Sequence, residues 1–302
     1  MRDTSRPRIG FIGAGVVGTA LAVALADADY PVAAVHSRDL ARRDELVRSL
    51  PAARSASTRQ EVAELCDLVF LTVSDDALAD VAASIRWPRG VAAITTHGAA
   101  SLDVLRAVQD QGASVGVFHP LKSFATATQS RRFAAGTAVR IDASNEALRD
   151  TLTRMAEALG GRPLFVAGDP TLYHAGAVLA SNALVTLMDL AAELWTHVGI
   201  PKDEAVRALL PLVRGTVDNL DRVGSPRALT GPIARGDAGT LARHLETLGR
   251  IAPATLPVYK ELARRTIPVA LAKGTLAAEA AERLLRLLDA TEEGGSCARD
   301  DR

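Results

Sequence analysis

Short apolar runs separated by amphipathic stretches fill the first 168 residues. "RIGFI", "PVAAVHS", "DLVFLTVSD", "GVAAITTHG", "ASVGVFHP", "TAVRIDAS" and "PLFVAG" read as strands. Most are apolar on both faces, as parallel strands covered by helices must be. Between them "DLARRDELVRSL", "DALADVAASI", "SLDVLRAVQDQG" and "NEALRDTLTRMAEALG" carry helical spacing. The alternation predicts an α/β fold with a doubly wound parallel sheet. After Gly168 the strand pattern stops. Helices are expected over 170–198, 202–222, 238–249, 256–273 and 275–290, with Asp169 and Pro170 as the N-cap and first-turn pair of the first. The organisation expected is a dinucleotide-binding domain over 1–168, an all-helical domain over 169–290 and a disordered tail over 291–302.

The first of those helices would run ~44 Å at ~1.5 Å per residue, long enough to pack against another subunit. Its text, "HAGAVLASNALVTLMDLAAELW", is apolar enough to resemble a membrane span. Ser181, Asn182, Asp189 and Glu193 interrupt it, so a buried core helix is the expectation.

Composition narrows the function classes. Hydrophobic residues make up 48% of the 302, enough for a sizeable core, and 35 basic residues balance 35 acidic ones. No net field draws the chain to nucleic acid or to an anionic membrane. Cys66 and Cys297 are too few for a disulfide framework and lack metal-ligand spacing, so no metal is expected. With no apolar secretory run near the start, a reducing cytoplasm fits best.

The candidate chemistry begins at "RIGFIGAGVVGTALAVALA", where Gly13, Gly15 and Gly18 form GxGxxG between an apolar strand and an alanine-rich helix. Gly13 permits the tight turn, Gly15 lets the backbone approach a pyrophosphate, and Gly18 lets helix and strand pack closely. Gly13, Ala14, Gly15, Val16, Val17 and Gly18 are thus cofactor-binding candidates in a Rossmann-type domain. A turn that serves close packing alone is the alternative. The second strand ends in His36, Ser37 and Arg38 where an NAD site usually carries Asp or Glu, and Asp39 stands one place late. Ser37 and Arg38, helped by Arg42 or Arg43, suit a 2′-phosphate, which favours NADP(H) over NAD. Exposed arginines at a helix start are the plainer reading.

Ligands of such sheets sit at the carboxyl ends of the strands. Val73 and Ser74 stand there after one strand, with Asp75 or Asp76 expected to cap the next helix. Thr95, Thr96 and His97 follow another, and Thr96 and His97 are read as pocket lining. "FHPLKSF" places His119, Lys122 and Ser123 in one loop. Lys122 is one of only four lysines in the chain and could hold a carboxylate or polarise a carbonyl, against the alternative of a surface lysine. In "YHAGAVLASN", at roughly 100° per residue, Ser181 returns to within roughly 20° of His174 and Asn182 stands roughly 80° away. Three polar groups on one alanine-rich face form a candidate site wall; a core helix whose polar groups are satisfied internally is the other reading.

"IGFIGAGVVGTALA", "FHPLKSFA", "YHAGAVLASNALVTL" and "TGPIARGD" together resemble a family of Rossmann-like oxidoreductases whose helical C-terminal domain was long of unknown function. It is related to pyrroline-5-carboxylate reductases and to β-hydroxyacid dehydrogenases such as the 6-phosphogluconate and 3-hydroxyisobutyrate enzymes. Some members look like an alternative type of ketopantoate reductase. The resemblance implies a homodimer formed through the helical domain, with active sites between domains. Two departures stand out. Val178 occupies the place, four before Asn182, where β-hydroxyacid dehydrogenases carry a catalytic lysine, and the nearer family often has glutamine at the place of Lys122. The function expected is NADPH-dependent reduction of a small carboxylate-bearing carbonyl compound, with 2-dehydropantoate (ketopantoate) as lead substrate. His174 would be general acid. Asn182 and Ser181 would orient substrate, Lys122 would bind its carboxylate or the oxyanion, His119 would support that loop and, with Ser123, contact the substrate, and Arg235 is a further anion clamp from the same or the other subunit. The alternatives are an imine reductase of pyrroline-5-carboxylate type and a non-catalytic NADP(H)-binding regulator.

Overall fold

The computed structural model describes residues 6–50, 52–124 and 136–290. The tail over 291–302, with Cys297, lies outside the described residues. The chain divides into two compact units, one through Asn182 and one from Ala183 on.

The first unit is built on one sheet. Its elements run β1 (Ile9–Ile12), α1 (Val16–Asp27), β2 (Val32–His36), α2 (Leu40–Arg48), β3 (Arg54–Ser55), α3 (Arg59–Leu65), β4 (Leu68–Leu71), α4 (Asp75–Ala83) and β5 (Ala92–Thr95). A 3-10 turn over Leu102–Leu105 then leads into α5 (Arg106–Gln109), followed by β6 (Ser114–Pro120), β7 (Ala138–Ala143), α6 (Glu146–Ala158), β8 (Arg162–Leu164) and α7 (Pro170–Ala180). The strand order is β3-β2-β1-β4-β5-β6-β7-β8. The chain therefore changes direction of winding between β1 and β4, the place where such sheets open a crevice for ligands.

Every residue of β1, β4 and β5 is buried. Helices cover both faces, which is why the apolar runs show no alternation. On one face Phe11 stacks on Phe70 at 5.1 Å between ring centroids, and Phe118 meets Phe70 edge-on at 5.8 Å. The other face is filled by Leu71, Leu78, Val115 and Trp87, whose indole N–H donates to the Ala82 carbonyl. α1 buries seven of its twelve residues, so its apolar character all round follows from its place against the sheet.

The doubly wound sheet stands as the sequence predicts, with two details that the residues did not announce. β6 and β7 pair antiparallel, with His119 opposite Arg140, so the sheet is not parallel throughout. A strand buried on both faces has the same composition in either direction, and the residue pattern therefore carries no sign of the reversal. β3 is also extra: two exposed residues, Arg54 and Ser55, at the edge of the sheet, too short and too polar to announce a strand.

The second unit contains α8 (Asn182–Thr196) from its second residue on, α9 (Lys202–Val223), α10 (Ser225–Ala228), a 3-10 turn over Ile233–Arg235, α11 (Ala238–Ile251), α12 (Leu256–Lys273) and α13 (Ala278–Ala290). Leu241 and Leu245 of α11, Ile267 of α12 and Leu284 and Leu288 of α13 form its core. The Asp237 carboxylate caps α11 by accepting from the Thr240 amide at 2.9 Å.

The long first helix is corrected. It divides at Ser181, whose φ of −118° departs from helical values, so α7 and α8 are separate segments. Ser and Asn side chains compete with the backbone for hydrogen bonds, and adjacent Ser181 and Asn182 make this the weakest point of the run. Nor is it a buried core helix. α7 buries no residue and α8 only Ala192, while Leu172, Leu179 and Val185 are 75%, 72% and 70% exposed. By length and composition alone Pro170–Thr196 could cross a membrane, yet the same apolar face suits a partner helix equally well.

Candidate functional site

The glycine-rich turn is held from beneath by β4 and its continuation. Gly13 has φ +116°, and a Cβ there would stand 2.4 Å from the Thr72 carbonyl oxygen. A Cβ on Gly18 would meet the Gly13 carbonyl oxygen and Thr72 Oγ1, each at 2.5 Å, and Thr72 Oγ1 itself donates to the Gly13 carbonyl at 2.8 Å. Both glycines are therefore demanded by the protein's own packing. Gly15 is different: a Cβ there would meet nothing within 4 Å. Gly15 is the N-cap of α1, a position glycine suits, and without a Cβ it also leaves the backbone there open to the close approach of a ligand. That observation fits a dinucleotide pyrophosphate.

Beside the turn lies a cavity of about 270 Å³ whose lining includes Gly13, Ala14, Gly15, Ser37, Arg38, Val73 and Ser74, together with Thr72, Asp39 and Arg59. Arg42 and Arg43 do not line it. Arg42 Nε pairs with Asp39 at 3.2 Å and Arg43 with Asp44 at 2.8 Å, so the expected help from these two is corrected. The late Asp39 serves as N-cap of α2, its carboxylate accepting from the Arg42 amide at 3.0 Å. At α4 the capping position is Ser74, and Asp75 and Asp76 fall in the first helical turn, where their charge complements the helix dipole.

A second cavity, about 190 Å³, opens over the ends of β5 and β6. Val17, Thr96, His97, Gly98, His119, Lys122 and His174 line it. His97 Nε2 donates to the Val73 carbonyl at 2.8 Å and lies 3.1 Å from Asp75 Oδ1, tying the end of β5 to the end of β4. A third, about 520 Å³, is lined by His119, Lys122, Ser123, His174, Ser181 and Asn182 with the thin wall Ala177, Val178 and Ala180. Six residues expected at a site from sequence thus share one cavity. Val16, Gly18 and Arg235 do not line any of the three; Arg235 is exposed in the second unit.

The centre of the arrangement is a pair of imidazoles. His119 and His174 stand 6.2 Å apart between ring centroids, and Gly98 is what lets them approach. A Cβ at 98 would lie 2.6 Å from His174 Cδ2 and 2.9 Å from His119 Nε2. His119 Nδ1 is hydrogen-bonded to the Tyr173 hydroxyl at 3.2 Å, which leaves Nε2 as its other polar edge. Behind them Arg140 is 1% exposed. Its Nη1 donates to the Gly98 and Ala100 carbonyls at 3.0 and 2.9 Å, and its guanidinium stands 5.9 Å from the centre of the Tyr173 ring. Arg140, Tyr173 and Thr72 were not singled out in the sequence. An arginine inside the apolar run "TAVRIDAS" and a tyrosine beside His174 were the signals available.

Burial, followed by the nearby His174, Arg140 and His97, pushes the His119 imidazole down to about 4. Its unfolded value is the ordinary 6.5, so the fold favours the neutral ring. The stabilisation is complete above pH 6.5 and is lost as pH falls toward 4. Thermal melts across that interval are expected to fall more steeply for the natural chain than for His119→Gln; parallel curves would refute the assignment.

The Rossmann-like domain family matches residues 2–120, and the domain of unknown function DUF2520 matches residues 137–266. A Bacteroides fragilis protein provisionally named an NADP oxidoreductase is 26% identical with a TM-score of 0.70, over 87% of this chain and 98% of that one. The 1-pyrroline-5-carboxylate reductase of Streptococcus pyogenes has the same fold, with a TM-score of 0.60 at 20% identity over 90% of this chain and all of that one. A 3-hydroxyisobutyrate dehydrogenase-like mitochondrial protein of Arabidopsis thaliana is 34% identical over 102 residues, 34% of this chain; the match spans only 30% of that relative's length.

Proposed function

We propose that this chain, a Rossmann-like domain followed by a DUF2520 domain, is an NADPH-dependent reductase of a small carbonyl compound that bears a carboxylate. The observation that carries the reading is the convergence of His174, Lys122, Ser181 and Asn182 on one cavity of about 520 Å³. Its size suits a small ligand. It shares His119, Lys122 and His174 with the cavity that continues toward His97 and Val17 at the strand ends.

The turn Gly13–Gly18 and Ser37 with Arg38 would hold the cofactor's phosphates, and Val73, Ser74, Thr96 and His97 would border its nicotinamide. When bound, that ring supplies the hydride. The chain's own residues do the rest. Lys122 draws the substrate carboxylate by charge, and Asn182 and Ser181 fix the carbonyl by hydrogen bonds. His174 donates the proton that the developing alkoxide needs. His119, neutral near pH 7, gives no charge to the pocket, and its bond to Tyr173 fixes which edge it presents.

A 2-oxo acid such as 2-dehydropantoate is the lead substrate, because it joins a carbonyl to the carboxylate that a cation beside the cavity would select. The fold shared with pyrroline-5-carboxylate reductase keeps a cyclic imine acid as the second reading. Steady-state kinetics with NADPH and each compound in parallel decide between them. Turnover of neither, with tight NADPH binding, would leave a non-catalytic regulator. The exposed apolar residues along α7 and α8 support a homodimer built on these helices. Sedimentation at assay concentration is expected to return twice the chain mass, and a monomer would overturn that part.

A further inference from the structure

We propose that Arg59, acting with Arg38, clamps the 2′-phosphate of the cofactor and thereby decides between NADPH and NADH; the inference rests on the cofactor reading above. The two arginines reach the same cavity of about 270 Å³ from separate elements, Arg38 from the turn after β2 and Arg59 from the first position of α3. They approach the adenosine end of the site, away from the imidazole pair.

Charge bookkeeping within the cavity favours a phosphate over free ribose hydroxyls. Among the described residues no carboxylate forms an ion pair with Arg38 or Arg59, whereas Arg42 and Arg43 are occupied by Asp39 and Asp44. Asp39, the acidic residue in the lining, is already engaged by the Arg42 amide and side chain. It is poorly placed to accept from a ribose diol. Arg59 Nη1 donates to Ser84 Oγ at 3.3 Å. A neutral hydroxyl can steady the guanidinium without cancelling its charge, and the remaining N–H groups stay available for a bidentate grip.

The local sequence places Arg59 with some care. Thr58 Oγ1 accepts from the Glu61 amide at 3.1 Å, and Glu61 Oε2 accepts in return from the Ser57 amide at 2.7 Å. This reciprocal capping fixes where α3 begins and so fixes Arg59 at its first residue.

The test is direct titration of the full chain with NADPH and with NADH, read by cofactor fluorescence, with 2′-AMP and 5′-AMP as competing probes. Charge-assisted bonds to phosphate are strong enough that Arg59→Gln should weaken NADPH and 2′-AMP by about tenfold or more, and NADH and 5′-AMP by less than about threefold. Arg59→Lys, which keeps the charge but not the fork, should fall between and serves if the glutamine variant melts early. An unchanged NADPH-to-NADH ratio in both variants, or an equal loss for both cofactors, overturns the role of Arg59 and leaves the cofactor reading intact. A natural chain that binds neither cofactor, or prefers NADH, overturns both.

Discussion

His174→Ala is expected to lower kcat of the NADPH-dependent reduction by about 10²-fold or more while leaving NADPH affinity and the melting temperature close to those of the natural chain. The size follows from the chemistry. The developing alkoxide must be protonated as it forms, and a positioned acid contributes about 10²–10⁴-fold. His119 cannot take over the duty as a cation, because its imidazole is held down to about 4 and is already bonded to Tyr173. Nor is a lysine present on this helix to replace it, since Val178 fills the place four before Asn182. Stability should survive because α7 buries none of its residues, so the lost ring leaves no core cavity. Steady-state kinetics, cofactor titration and a thermal melt on the same preparation check the three parts. Natural kcat in a folded variant would sink the assignment.

How much of this was legible in the residues depends on how local each signal is. The strand pattern, the glycine turn and the helix caps are written in neighbouring positions, and β1, α1 and the Asp169 cap stand where the sequence placed them. The pair His119 and His174 was legible as two separate candidates, one in the "FHPLKSF" loop and one on the helix. Their meeting was not, because it depends on Gly98, distant from both in sequence. Arg140 was hidden for a related reason. Its burial is repaid by carbonyls of Gly98 and Ala100 on a different loop, a contact no periodicity describes. The exposure of α7 and α8 misled in the opposite direction: apolar composition reports that a helix face wants cover, and says nothing about whether the cover comes from the same chain.

The glycine turn offers the cleanest separation of folding from binding. Gly18→Ala is expected to cost ~1–3 kcal/mol, as overpacked sites do, because its Cβ would press on the Gly13 carbonyl and Thr72 Oγ1 at 2.5 Å. Its melting temperature should fall by several degrees, at about 2–4 °C per kcal/mol for a unit of this size. Gly15→Ala should behave otherwise. Its φ of −75° is open to any residue, and the added methyl meets nothing within 4 Å. Alanine is a poorer N-cap than glycine, but it also loses less chain entropy on folding, and the two effects, each on the order of 0.5–1 kcal/mol, oppose one another. The melting temperature should therefore hold. Yet the methyl would stand between the backbone and an approaching pyrophosphate, and losing its charge-assisted amide contacts should weaken NADPH by about tenfold or more. Melts and NADPH titrations of the two variants side by side provide the check. If Gly15→Ala bound NADPH like the natural chain, the turn would be a packing device alone and the cofactor would have to enter elsewhere.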